Sequence, residues 1–115
     1  MRRVIPTPFP HPTLIDAIGF GAAVRAARTA SGMTLTDAAL AVGVARQTLQ
    51  DLETGTGTVG IGAAMKIAND LGVSLFAVPA REKGPISRTI SAILSGHAPK
   101  VVTATADLTT TKAST

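Results

Sequence analysis

The sequence predicts an all-α fold, a compact bundle of four to five short helices, on three observations. Apolar residues recur at three- and four-residue spacing along successive segments from residue 13 onward. Glycines close these segments, at Gly32, Gly43, Gly55 and Gly72, where the left-handed backbone that ends a helix needs no Cβ. Apolar residues make up 45% of the 115-residue chain but aromatics only 3%, with no Trp or Tyr. The core must therefore be built from Ala, Val, Leu and Ile, which suits closely packed helices. One short C-terminal strand at a dimer interface is the exception the sequence leaves open.

Residues 1–12, MRRVIPTPFPHP, carry prolines at positions 6, 8, 10 and 12, which exclude helix and predict an extended arm or a disordered lead. Thr13 then reads as the N-cap of a first helix, with Leu14, Ile18, Ala22 and Ala26 at helical spacing. Gly19 and Gly21 weaken its first turns. In MTLTDAALAVG, residues 33–43, Thr34 is the expected cap with Asp37 three residues on, and Ala38, Ala39 and Val42 form the buried stripe. A third helix spans 44–54, with Val44, Thr48, Leu49 and Leu52 on one side and Arg46, Gln47, Gln50 and Asp51 on the other. The fourth, about 61–71, should turn Ile61, Ala64, Met65, Ala68 and Leu71 inward.

Residues 73–78, VSLFAV, fit a strand or one helical turn, and Pro79 ends them. The compact domain is thus expected over 13–78, followed over 79–96 by a charged linker and an amphipathic helix with Ile86, Ile90, Ile93 and Leu94. Residues 97–115 read as a Thr-rich tail, strand-like in VVTATADL and disordered at its end.

Composition narrows the chemistry. The absence of Cys excludes disulfides, thiolate nucleophiles and Cys-based zinc sites. Only His11 and His97 supply imidazole, and no metal or cofactor is expected. With no catalytic constellation in view, an enzyme is not expected. No apolar run is long enough to cross a membrane, so a cytoplasmic location is expected. The net charge of +4 is unevenly placed. Residues 13–78 hold four basic and five acidic side chains, and the excess lies at Arg2, Arg3, Arg81, Lys83, Arg88, Lys100 and Lys112. A polyanion would draw its non-specific attraction from these flanks.

The stretch GTGTVGIG, residues 55–62, contains G-x-G-x-x-G. A dinucleotide loop needs a buried strand entering it and an acidic residue closing the next strand. Here the polar, helix-patterned TLQDLET enters it, Pro79 stands where the acid should be, and Glu82 lies beyond in the linker. The stretch is read as a turn between helices, with more glycines than such a turn requires.

Two short helices joined at Gly43 and facing a first helix make a helix-turn-helix. Residues 18–78 resemble the Cro/C1-type (XRE) DNA-binding family, whose fold is that of lambda repressor. The resemblance rests on Gly32-Met33-Thr34, Ala38-Ala39, Val42-Gly43-Val44, Arg46-Gln47-Thr48-Leu49, Leu52-Glu53-Thr54-Gly55, and Ile67-Ala68 with Leu71-Gly72-Val73.

That resemblance implies a recognition helix in the major groove, with Arg46, Gln47, Gln50 and Asp51 at base edges. Arg suits guanine O6 and N7, Gln suits adenine N6 and N7, and Asp51 suits the cytosine amino group. Thr34, Thr48, Thr54 and Thr56 fall at backbone-contact positions, Thr48 being open to inward packing or a thymine methyl. Arg28 and Glu53 match a structural ion pair. Ala45 departs from the family's polar cap, and Leu35 stands where Gln is common.

The resemblance further implies a homodimer on double-stranded operator DNA and a repressor function. Leu75, Phe76 and Val78 would form the dimer interface unless they close the monomer core. The strand-like segment resembles HipB-type antitoxins, so a second expectation is an antitoxin that neutralises a toxin protein and represses its own operon. The basic N-terminal arm fits entry into a minor groove or disorder.

Overall fold

The computed structural model describes residues 3–13 and 16–96. The backbone divides into two units, one ending at Phe76 and the other beginning at Ala77. The first holds four helices: α1 (Ala17–Ala30), α2 (Leu35–Val42), α3 (Arg46–Thr54) and α4 (Ile61–Asp70). The second holds a single 3₁₀ turn, Ala80–Glu82, running directly into α5 (Lys83–Leu94). Every regular element among the described residues is helical.

Val24, Leu49 and Ile67, from α1, α3 and α4, are the largest fully buried side chains. Ala38, Ala39 and Val42 of α2 and Leu52 and Ala64 complete the same cluster. Small residues let the helices approach closely, and Gly21 sets the limit. A Cβ there would collide with the carbonyl oxygens of Leu52 and Glu53, lying 2.6 Å from the latter. The glycine that weakens α1 as a local helix is thus what lets α1 seat on α3.

Each helix ends for a local reason. Asp16 caps α1, its carboxylate accepting from the Gly19 N–H at 2.6 Å. Thr13 is not the cap: its N–H and hydroxyl meet His11 Nδ1 at 3.2 and 2.8 Å. Thr34 caps α2, accepting from the Asp37 N–H at 3.1 Å, and Gly43 ends that helix at φ +84°. Ala45 opens α3 in extended backbone, ψ 145°, and without a side-chain cap, so the helix starts at Arg46 rather than Val44. Lys66 of α4 donates to the Val42 carbonyl at 2.6 Å, bringing a cation to the C-terminal end of α2 where the helix dipole is negative.

Two helix registers differ from the sequence expectation. In α4, Ile67 is fully buried while Ile61 is 81% exposed and Met65 is also exposed. In α1, Ala23, Val24 and Ala26 are buried and Ile18 is exposed. Ala64 and Ala68 of α4 and Ala26 of α1 are buried as expected. A spacing of three or four residues is nonetheless satisfied by more than one stripe on a helix rich in apolar residues, and packing took Ile67 and Val24 in place of Ile61, Met65 and Ile18. Leu14 and the segment 97–115, including VVTATADL, lie outside the described residues.

The segment 73–78 forms neither a helical turn nor a paired strand among the described residues. Val73 is buried and Leu75 packs against the small cluster of Ala23, Ala68 and Val73. Phe76 is 84% exposed and Val78 is also exposed. α5 begins three residues before the expected Ile86, with Pro85 in its first turn, where a missing N–H is tolerated. It contains no buried residue.

Candidate nucleic-acid interface

The position of α3 is fixed from beneath by charge. Arg28 of α1 and Glu53 of α3 form a fork, Nε donating to Oε2 at 2.6 Å and Nη2 to Oε1 at 2.9 Å. Arg28 Nη1 donates to the Met33 carbonyl at 2.8 Å. One guanidinium therefore ties α1, the α1–α2 turn and α3 together. Both side chains are buried, and no buried side-chain polar atom among the described residues lacks a partner. A buried pair of this kind is strongly destabilising to break from one side, because the remaining charge is stranded.

With its inner face held, α3 presents Arg46 and Gln47 to solvent at its first two positions. Gln47 Nε2 donates to Asp51 Oδ1 at 2.8 Å, one helical turn on. That bond leaves the Gln47 amide its carbonyl oxygen and one N–H, the acceptor–donor pair that matches adenine. Asp51 is therefore engaged with Gln47, and its main-chain carbonyl accepts from the Thr56 N–H at 3.0 Å. Gln50 and Thr48 are half-buried.

The threonines differ in what they can offer. Thr34 uses its oxygen as the α2 cap and keeps its hydroxyl proton to donate. Thr54 donates to the Gln50 carbonyl at 2.9 Å, and its hydroxyl lies 2.7 Å from that of Thr56, which leaves Thr56 as the donor of that bond. Both protons of that pair are committed within the protein.

The glycine-rich loop resolves into two halves. Gly55 and Gly57 take φ of +71° and +67°, and a Cβ at Gly57 would also sit 3.0 Å from Asp51 Oδ2. Gly60 and Gly62 have negative φ and open space around the position of a Cβ. Two of the four glycines, Gly55 and Gly57, are required by the turn.

Beside the N-terminus of α3 lies a cleft of about 510 Å³. Arg3 and Ile5 of the N-terminal arm form one wall, and Arg25 of α1, Thr34 and Thr36 of α2 and Arg46 of α3 form the others. Arg25 and Arg3 were visible in the sequence only as charges. Arg25 stands three residues before Arg28, a spacing that puts the two on one side of α1 and was a usable signal. Nothing in the sequence placed Arg3 against them.

Residues 24–78 match the family described as Helix-turn-helix. This segment is a Cro/C1-type helix-turn-helix domain. The domain is that of a DNA-binding transcription regulator, and the family is regulatory rather than typically enzymatic. The turn of the motif is the Gly43–Ala45 connection, and α2 and α3 are its two helices. No curated protein and no solved structure matches the chain. Among the described residues no helix is long and apolar enough to cross a membrane.

Proposed function

We propose that the chain is a sequence-specific transcriptional repressor that binds operator DNA as a homodimer, with α3 in the major groove. The observation that carries this reading is the face of α3. Its inner side is locked by the Arg28–Glu53 fork, while Arg46 and the Asp51-held Gln47 stand exposed at its N-terminal end. A rigid helix with its N-terminal residues free suits base-edge contact. Arg46 reads guanine, and Gln47 reads adenine with Asp51 as its positioning residue. Gln50 contributes from the next turn, and Thr48 contacts the backbone. Thr34 donates to a backbone phosphate, and Thr54 and Thr56 contact phosphate by giving up their mutual hydrogen bond.

Two copies are held together by the apolar chain around Phe76 and Val78, with the exposed part of Leu75, and by the apolar stripe of α5. Operator half-sites should then recur about one helical turn apart, roughly 34 Å. The stripe on α5, which has no buried residue, also supports a second reading. In it the same protein is an antitoxin whose C-terminal unit covers a toxin protein while the helix-turn-helix represses the shared operon. Co-purification with the product of an adjacent gene separates the two.

The test is enrichment of bound duplexes from random DNA, followed by affinity measurements on the consensus. Arg46→Ala and Gln47→Ala should each lose discrimination at one base pair by about five- to 150-fold, the equivalent of roughly 1–3 kcal/mol. Asp51→Asn should relax the preference at the Gln47 position without abolishing binding. An unchanged consensus in the Arg46 and Gln47 variants would sink the assignment of α3.

A further inference from the structure

We propose that the cleft between the N-terminal arm and the N-terminus of α2 is a phosphodiester site that grips DNA backbone beside the half-site read by α3. The proposal rests on the DNA-binding reading above and extends it to a part of the chain outside the matched segment 24–78. Four observations carry it.

First, the arm is a built part of the domain. The Thr7 N–H donates to Thr29 Oγ1 at 3.0 Å, and the Thr29 hydroxyl, which is buried, donates onward to the Arg25 carbonyl at 2.9 Å. This anchor sets Arg3 and Ile5 against α1 and α2 as one wall of the cleft.

Second, the lining is cationic without compensation. Arg3, Arg25, Arg28 and Arg46 all line it, and none of its lining residues is acidic. Arg28 is neutralised by Glu53 behind the wall, with three of its five N–H donors spent on Glu53 and Met33. Among the described residues, Arg28 and Lys66 have carboxylate partners at ion-pair distance, while Arg3, Arg25 and Arg46 have none. Three guanidinium groups facing one cavity repel each other until an anion enters.

Third, the donors fit phosphate. Guanidinium forks bind phosphate oxygens bidentately. Thr34 has its hydroxyl proton to give, and the first amides of α2, at Leu35 and Thr36, have no intrahelical acceptor. Fourth, the cleft abuts Arg46, the first residue of α3, so a strand held there runs alongside the base pairs that α3 reads.

The test uses the full chain with a consensus duplex and a scrambled duplex, titrated across a KCl series. Arg3→Gln and Arg25→Gln should each weaken both duplexes several-fold, by the same factor. Each should also lower the magnitude of the slope of log affinity against log salt by about 0.9, one lost phosphate contact. Arg25→Lys should keep most of the slope. Thr7→Pro removes the anchoring N–H while preserving extended backbone, and should reproduce much of the Arg3→Gln loss with Arg3 still present. Circular dichroism confirms that each variant is folded.

Wild-type affinities and slopes in Arg3→Gln and Arg25→Gln, alongside lost discrimination in Arg46→Ala, would overturn this proposal and leave α3 as the reader. A loss in Arg3→Gln confined to the consensus duplex would also overturn it, since that signature belongs to base reading. Saturable micromolar binding of inorganic pyrophosphate at the Thr34–Thr36 amides without DNA would assign the cleft to a small phosphorylated ligand instead. If the wild type binds no duplex at all, the DNA reading falls and the proposal falls with it.

Discussion

The two units of the chain solve the problem of apolar surface in opposite ways. In the first, α1 and α3 approach so closely that only glycine fits at position 21, and even an arginine is buried with its carboxylate. In the second, α5 carries Ile86, Ile90, Ile93 and Leu94 at helical spacing and buries none of them. Ile86 and Ile90 are half-buried and Ile93 and Leu94 exposed, and a helix of 12 residues is marginal in water when its apolar face is so incompletely covered. The first unit is therefore organised by contacts within itself, whereas the second has its apolar stripe available to another surface. This division is why we propose DNA reading for one unit and association for the other.

The contrast can be broken or sharpened by substitution, beginning with the first unit. Arg28→Met strands the buried Glu53 and should cost about 3–5 kcal/mol in urea unfolding, enough to unfold much of the population. The double variant Arg28→Met, Glu53→Leu should recover most of that loss; a double variant as unstable as the single one would mean the fork is irreplaceable. Gly21→Ala should cost about 2 kcal/mol, because the new methyl must push apart the backbones of α1 and α3. A neutral result by thermal melting would show that α1 can shift freely along α3.

Ala45→Ser supplies the side-chain cap that α3 lacks and should add about 1 kcal/mol. Gly62→Ala, in open space within α4, should add about 0.5–1 kcal/mol through helix propensity and a less flexible unfolded chain. Smallest of all on this scale is Ile90→Ser in α5, expected within about 0.5 kcal/mol of wild type for the first unit. If α5 pairs two copies as proposed, its effect should appear instead in sedimentation velocity, as a shift to monomer.

The positions of the helices were legible because glycine stops and polar caps act locally. Thr34 with Asp37, and Gly43 and Gly55 as terminators, are decisions made within four residues. What was not legible depended on a neighbour. The choice between Ile61 and Ile67 as the buried isoleucine of α4 is made by where α1 and α3 stand, and local spacing permits either. The start of α1 was misread because Thr13 and Asp16 are both good caps, and His11 draws Thr13 away.

At the interface, the residue types on α3 followed from the motif, but their coupling did not. Gln47 and Asp51 read from the sequence as separate base contacts; the hydrogen bond between them couples the two side chains. The second required glycine of the loop was equally hidden, since a positive φ at Gly57 follows from the path of the turn past Asp51.

The arm carries a consequence for how little is needed to place a charge. Between Arg3 and Thr13 the chain has prolines at 6, 8, 10 and 12, and each removes backbone freedom before any contact forms. A flexible arm would dilute Arg3 over a large volume, and one hydrogen bond could not hold it. In a stiffened arm, the Thr7–Thr29 contact, a 3.0 Å bond from the Thr7 N–H backed by a longer one between the two hydroxyls, fixes a lever only four residues long and raises the effective concentration of the guanidinium at the cleft. Replacing the prolines by serines would leave every contact chemically intact and still lower that concentration.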